Sequence, residues 1–196
     1  MAADKLIALV DLDGTLADYS ARMVERCNHI RSPGEPEITP SAFSSAPEWL
    51  KRRIRMVKTT PGFWSDLPRI EDGFFVVDLL RKRGFQIHIL TKGPRKNSIA
   101  WSEKVVWCDR NGLDFPITVA TDKSLVYGKL LFDDWPEYVA PWLQHRPRGH
   151  VLMLDQPWNR DFSHERVIRV PREDRTKIIE AVDRASYIAF STGPIE

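Results

Sequence analysis

The sequence predicts an α/β fold, a parallel sheet flanked by helices with a small helical cap inserted after the first strand. Short apolar runs alternate with segments of helical period, the pattern of a parallel sheet covered on its faces. The chain has 196 residues, 42% hydrophobic and 29% charged, enough for one domain with a sizeable core and a solvated surface. The stretch between the first strand and the next core helix far exceeds an ordinary βα connection, and it carries helices of its own.

Residues 6–10 read as the first strand. A helix is expected over residues 21–29, and the RSPGEPEITP that follows is loop by composition. Ser45-Ala46-Pro47-Glu48 reads as a capping box opening a helix through about Lys58. Residues 17–70 are therefore read as the cap, and residues 1–16 with 71–196 as the core. In the core, Phe75, Val76, Leu79 and Leu80 form a helical stripe stopped by Gly84. Residues 85–90 read as a strand leading into Thr91, and residues 99–108 as a helix ending at Asn111-Gly112, a good left-handed cap. Residues 116–120, 130–132 and 151–154 complete the strands, with 167–170 a weaker edge candidate. Tyr138, Val139, Trp142 and Leu143 repeat the stripe after Pro136, and Ile178, Ile179, Val182 and Ala185 repeat it again.

A net charge of +2 is too balanced to argue for nucleic acid or an acidic membrane. Two cysteines, Cys27 and Cys108, are too few for a disulfide framework and favour a reducing compartment. The first ten residues include Asp4 and Lys5, and their apolar run is too short for a signal peptide or a membrane span. A cytoplasmic location is expected. The histidines, His29, His88, His145, His150 and His164, show no zinc-binding spacing, and His88, inside a strand, reads as structural.

The chemistry gathers where the strands end, because ligands of open parallel sheets collect outside the C-terminal strand ends. The first strand, in LIALVDLDGTLADY, runs into Asp11 and Asp13. Thr91 and Lys92 follow the second, Lys123 the third, and Asp133-Asp134 the fourth. Burying one charge is already expensive, and crowded carboxylates raise one another's pKa unless a cation intervenes. An all-oxygen cluster favours Mg²⁺, which keeps several waters and accepts phosphate oxygens. Turn chemistry alone would account for DLDGT; the convergence of the other groups on the same edge outweighs it. Lys129 competes with Lys123 for the cationic role, but it opens a strand and so falls at the opposite edge.

Asp11-Leu12-Asp13-Gly14-Thr15, Thr91, Lys123 and Asp133-Asp134 follow the order of the four motifs of the haloacid dehalogenase-like (HAD) superfamily of phosphotransferases. The chain resembles that superfamily over essentially its whole length, which implies a Rossmann-like, HAD-like core. DLDGTLADY, PGFWSDLPRIEDG, the TDK before LLFDD and the helical insert are closer still to its 5'(3')-deoxyribonucleotidase (5'-nucleotidase C-type) branch. The resemblance implies a Mg²⁺-dependent phosphatase. Asp11 would attack phosphorus and form an aspartyl-phosphate, with Asp13 first protonating the leaving oxygen and then activating water. Thr91 would bind phosphoryl oxygens and Lys123 would neutralise their charge. The metal would be held by the Asp11 side chain, the Asp13 backbone carbonyl and Asp134, with Asp133 in support. The implied substrate is a nucleoside 5'-monophosphate, preferably a deoxynucleotide.

Tyr19, Phe63 and Trp64 are the candidates to grip the base by stacking, with packing of the cap as their alternative role. Two departures from the branch bear on substrate preference. Lys92 stands where a serine is usual and either adds charge beside the phosphate or is simply exposed, and Trp135 stands where a basic residue is expected. The run Lys51, Arg52, Arg53, Arg55 and Lys58 reads as a solvated face, with attraction of a polyanion as the lesser reading. Gln156-Pro157-Trp158-Asn159 either closes the pocket or is a plain turn. The rival functions are a HAD phosphatase for another small phosphate ester or a nucleic-acid 3'-phosphate end, and an idle protein that only binds a ligand there. The expected partner is a small phosphate ester; nucleic acid is disfavoured, no membrane is expected, and a homodimer stays open.

Overall fold

The apolar runs form six strands: β1 (Ile7–Val10), β2 (Gln86–Lys92), β3 (Ile117–Ala120), β4 (Leu130–Phe132), β5 (His150–Leu154) and β6 (Val167–Val170). They pair in parallel throughout, in the order β3-β2-β1-β4-β5-β6, in a computed structural model that describes residues 6–43 and 45–191. The predicted parallel α/β sheet flanked by helices is the observed fold. Strand burial follows position: β4 is buried along its whole length, as a central strand covered on both faces must be, whereas edge β3 is half-buried throughout. The helices are α1 (Tyr19–His29), α2 (Glu48–Thr59), α3 (Glu71–Lys82), α4 (Ile99–Arg110), α5 (Pro136–His145) and α6 (Arg175–Ser191).

The chain divides into two compact units. The first holds residues 6–16, Ile70–Lys92 and 115–191 and contains the whole sheet. There α5 lays Val139, Trp142 and Leu143 on Leu9, Leu90, Leu131, Val151 and Met153, all essentially sealed from solvent. Each such aliphatic burial contributes about 1.5–3 kcal/mol. The Trp142 indole also donates to the Val126 carbonyl at 3.1 Å, pinning the segment that precedes β4. Pro136 opens α5 at a position where the missing N–H is no loss. α3 ends at Gly84, whose φ of +94° only glycine adopts without strain, the stop expected from sequence. α3 and α6 pack together, and Arg83 Nε donates to Asp183 at 2.7 Å between them.

The second unit holds Ala17–Arg69 together with Gly93–Asp114, so α4 joins the inserted segment instead of the core to which residues 71–196 were assigned. Its polar contacts give the reason. The Glu103 carboxylate accepts the backbone N–H groups of Gly62 at 2.6 Å and Trp64 at 2.9 Å. The Trp107 indole donates to the Leu67 carbonyl at 2.8 Å. Within this unit the Asp18 side chain caps α1 by accepting the Ala21 N–H at 2.8 Å. The expected capping box on Ser45 does not form: α2 starts after Pro47, which is its N-cap and makes no side-chain cap bond. Proline keeps the residue before it out of the helical region, so Ala46 cannot serve as a first helical residue. The basic run on α2 is partly engaged, with Arg53 2.7 Å from Glu35 and Lys51 3.0 Å from Glu48.

Candidate active site

Register places the acidic groups. Val10 of β1 lies level with Ile89 of β2 and Phe132 of β4, so the chain leaves the sheet at Asp11 and Asp133 side by side. The Asp11 N–H still reaches the Phe132 carbonyl at 2.9 Å, and the Asp133 N–H reaches Leu152 at 3.2 Å. These two ladder bonds fix where both carboxylates start. Thr91 is fully buried in the last turn of pleat on β2, opposite Val119, and Lys92 follows it opposite Ala120. Lys129 bonds through its N–H to the Ile7 carbonyl, at the opposite edge of the sheet.

Lys123 reaches the same place from a single turn of 3₁₀ helix, Lys123–Leu125, just after β3. Asp122 makes that turn: its carboxylate accepts both the N–H and the hydroxyl of Ser124, at 2.9 and 2.7 Å. The Lys123 ammonium then lies 2.6 Å from Asp11 Oδ1 and 2.8 Å from Asp133 Oδ2, with the residue 2% exposed. Burial alone would depress this ammonium, but the Asp11 and Asp133 charges outweigh it and hold its pKa above the usual lysine value. Tyr138 was read from the sequence only as part of a core stripe. Its ring centroid lies 4.9 Å from Lys123 Nζ and 4.7 Å from Lys92 Nζ, so one ring face or edge borders each ammonium. The signal for this was its place in the first turn of α5, immediately after the aspartate pair.

One carboxylate oxygen from each of Asp11, Asp133 and Asp134 lies within 4.8 Å of the others, and all three residues are buried. Burial pushes Asp11 up to about 7, with Asp133 and Asp13 adding to the rise and Lys123 opposing it. Burial, then Asp133 and Asp11, raise Asp134 well above the usual carboxylate range. Fully ionised, the three carboxylates would exceed the one ammonium by two negative charges, which a single divalent cation would cancel. The donor set is all oxygen, the chemistry of a hard cation. Asp13 is half-buried and its side chain is not one of this group.

The surroundings of Asp134 were legible only in part. Thr15 Oγ1 donates to Asp134 Oδ1 at 2.9 Å. Gly14 has φ +87°, and a Cβ there would stand 2.4 Å from Asp134 Oδ2, so the glycine of DLDGT makes room for this carboxylate. Trp158 Nε1 donates to Asp134 Oδ2 at 2.8 Å and Asn159 Nδ2 to the Asp134 carbonyl at 2.7 Å. Trp135 is 37% exposed, and its backbone N–H donates to Asp133 Oδ1 at 2.9 Å. His88 pairs with the Thr118 hydroxyl at 2.7 Å, a structural contact.

In the second unit Tyr19, Phe63 and Trp64 form one aromatic cluster. The Tyr19 and Trp64 rings stack with centroids 5.5 Å apart, and Phe63 meets each of them edge-on. Phe63 and Trp64 are buried and Tyr19 is half-buried, with Lys58 Nζ 5.4 Å from its ring centroid.

Comparison with known proteins places the chain in a family and a fold. Residues 5–181 match the family described as 5' nucleotidase, deoxy (pyrimidine), cytosolic type C protein. The chain is 30% identical over 171 residues to a Bordetella pertussis protein provisionally named a 5'(3')-deoxyribonucleotidase, covering 80% of this chain and 87% of that one. It is 30% identical over 142 residues to the cytosolic type 5'(3')-deoxyribonucleotidase of Homo sapiens, covering 64% and 69%. Among solved structures, a HAD family hydrolase from Deinococcus radiodurans R1, with bound phosphate and sodium, superposes with a TM-score of 0.58 at 12% identity, covering 92% of this chain and 96% of the other. Among the described residues no helix is long and apolar enough to cross a membrane.

Proposed function

The chain belongs to the cytosolic type C 5'-nucleotidase family, and from that premise we propose that it hydrolyses nucleoside 5'-monophosphates, deoxynucleotides foremost, on Asp11. That it is a phosphatase follows from the family itself. One observation carries the rest: the buried Lys123 ammonium bridges Asp11 and Asp133 while both lie with Asp134 in a single cluster. Asp11, Asp134 and the Asp13 carbonyl, with Asp133 in support, would hold Mg²⁺, which supplies positive charge against the phosphoryl oxygens.

Lys123 and Thr91 bind and orient the phosphoryl group. Asp11 attacks phosphorus, and the ester oxygen departs with its bonding pair and takes a proton from Asp13. Asp13, now a carboxylate, takes a proton from the water that cleaves the aspartyl-phosphate, which frees phosphate and restores Asp11. Lys92 adds positive potential near the phosphate.

The test is phosphate release from deoxyribo- and ribonucleoside 5'- and 3'-monophosphates, sugar phosphates and 3'-phosphorylated oligonucleotides, with Mg²⁺ and with EDTA. Mg²⁺-dependent turnover highest on deoxynucleoside 5'-monophosphates is expected. Higher turnover on sugar phosphates or oligonucleotide ends would overturn the substrate, and equal turnover in EDTA would overturn the metal.

A further inference from the structure

We propose that the turn of residues 156–159 is a positioning element which, through Trp158 and Asn159, aims the Asp134 carboxylate and so sets the affinity of the site for its divalent cation. The inference rests on the cation-binding reading of Asp11, Asp133 and Asp134.

A carboxylate offers about four lone-pair positions. On Asp134 one is taken at Oδ1 by the Thr15 hydroxyl and one at Oδ2 by the Trp158 indole. A lone pair remains on each oxygen, in a direction fixed by the two bonds, because the carboxylate cannot rotate without breaking both. Indole N–H is a donor only, on a rigid ring, so it cannot turn and compete as an acceptor.

The turn itself is braced. Asn159 Oδ1 accepts the Gln156 N–H at 3.1 Å and Arg169 Nη2 at 2.7 Å, which leaves its Nδ2 facing the carbonyls of Asp134 and Leu154. Arg169 is held in turn by Asp155 at 2.7 Å. Gln156 Nε2 donates to the Gly14 carbonyl at 2.6 Å, tying the same turn to the loop that carries Asp11 and Asp13. A plain turn would require none of this. Nor would it require a tryptophan 37% exposed at the surface with its one polar atom directed inward to a buried carboxylate. Partners of metal ligands typically govern affinity by about 10–100-fold.

Calorimetric titration of the full chain with Mg²⁺ tests this. Trp158→Phe, which keeps an aromatic ring and deletes the donor, is expected to weaken Mg²⁺ binding about 10–100-fold. Trp49→Phe, an exposed indole on α2, is the control and is expected to bind within about twofold of the parent by the same reasoning. Indole ¹⁵N–¹H spectra of the unmodified chain give a readout that needs no variant to fold: the Trp158 resonance should move as Mg²⁺ is added. A parent that binds Mg²⁺ with a stationary Trp158 resonance, or Trp158→Phe binding as tightly as the parent, overturns the inference alone. A parent that binds no divalent cation overturns the metal reading and this inference with it.

Discussion

The Lys123 ammonium stands 2.6 Å from Asp11 Oδ1, and both residues are almost wholly buried. A buried pair is a poor source of stability in itself, but removing one partner strands the other, at about 3–5 kcal/mol. Lys123→Met should therefore destabilise the chain by about 3 kcal/mol, near the low end because a neighbouring carboxylate can take up a proton instead. Its phosphatase rate should fall by about 10²–10³, the usual effect of losing one preorganised charge-stabilising group. Chemical denaturation in EDTA and steady-state kinetics in Mg²⁺ measure the two.

Asp11→Asn separates catalysis from stability in the other direction. It removes one of three crowded buried carboxylates while Lys123 keeps Asp133 as a partner at 2.8 Å, so the metal-free chain should be no less stable than the parent, and turnover should drop at least about 10³-fold because the nucleophile is gone. Thermal unfolding in EDTA beside a phosphate-release assay checks both. Retained turnover would remove the covalent mechanism.

What the sequence made legible was whatever local pattern could carry. The aspartates at the ends of apolar runs, and Lys123 ten residues before Asp133, could be assigned to one edge because parallel strands all end on the same side. Side-chain partners from distant segments could not be read. Thr15 and Trp158 converge on Asp134 from 119 and 24 residues away, and no periodicity records that. The helix over residues 99–108 could be read but not what it packs on, which Glu103 and Trp107 set through bonds to distant backbone groups. The motif around Ser45 failed because the chain geometry at Pro47 overrides the capping pattern.

Gly14→Ala tests the close approach to Asp134. A Cβ would lie 2.4 Å from Oδ2, and φ +87° already disfavours an L-residue by about 1–2 kcal/mol. Asp134 must move, so Mg²⁺-dependent activity should be lost together with at least that much stability. A variant with parental kinetics would mean that the carboxylate has room which this geometry denies.

Glu103→Ala removes the acceptor for the Gly62 and Trp64 N–H groups in the second unit. Hydrogen bonds to a charged acceptor contribute about 1.5–3 kcal/mol. Amide hydrogen exchange at residues 62–65 should speed up, while the β1 and β4 amides stay protected. Uniform acceleration across the sheet would show instead that the two units unfold as one.

His150 opens β5 at the edge of the sheet away from the acidic cluster. Burial, then the Arg166 and Lys129 charges, hold its ring below the usual histidine pKa, against a smaller opposing pull from a backbone hydrogen bond to Arg148. The folded chain thus prefers the neutral ring. Its contribution is fully present above the unfolded pKa of about 6.5 and is lost as pH falls below that value toward the folded one. Between pH 7.5 and 5.5 the parent should lose unfolding free energy relative to His150→Leu, a variant with nothing to protonate there. Denaturant melts of both chains across that range measure the difference, and parallel curves would show that His150 does not titrate differently in the folded state.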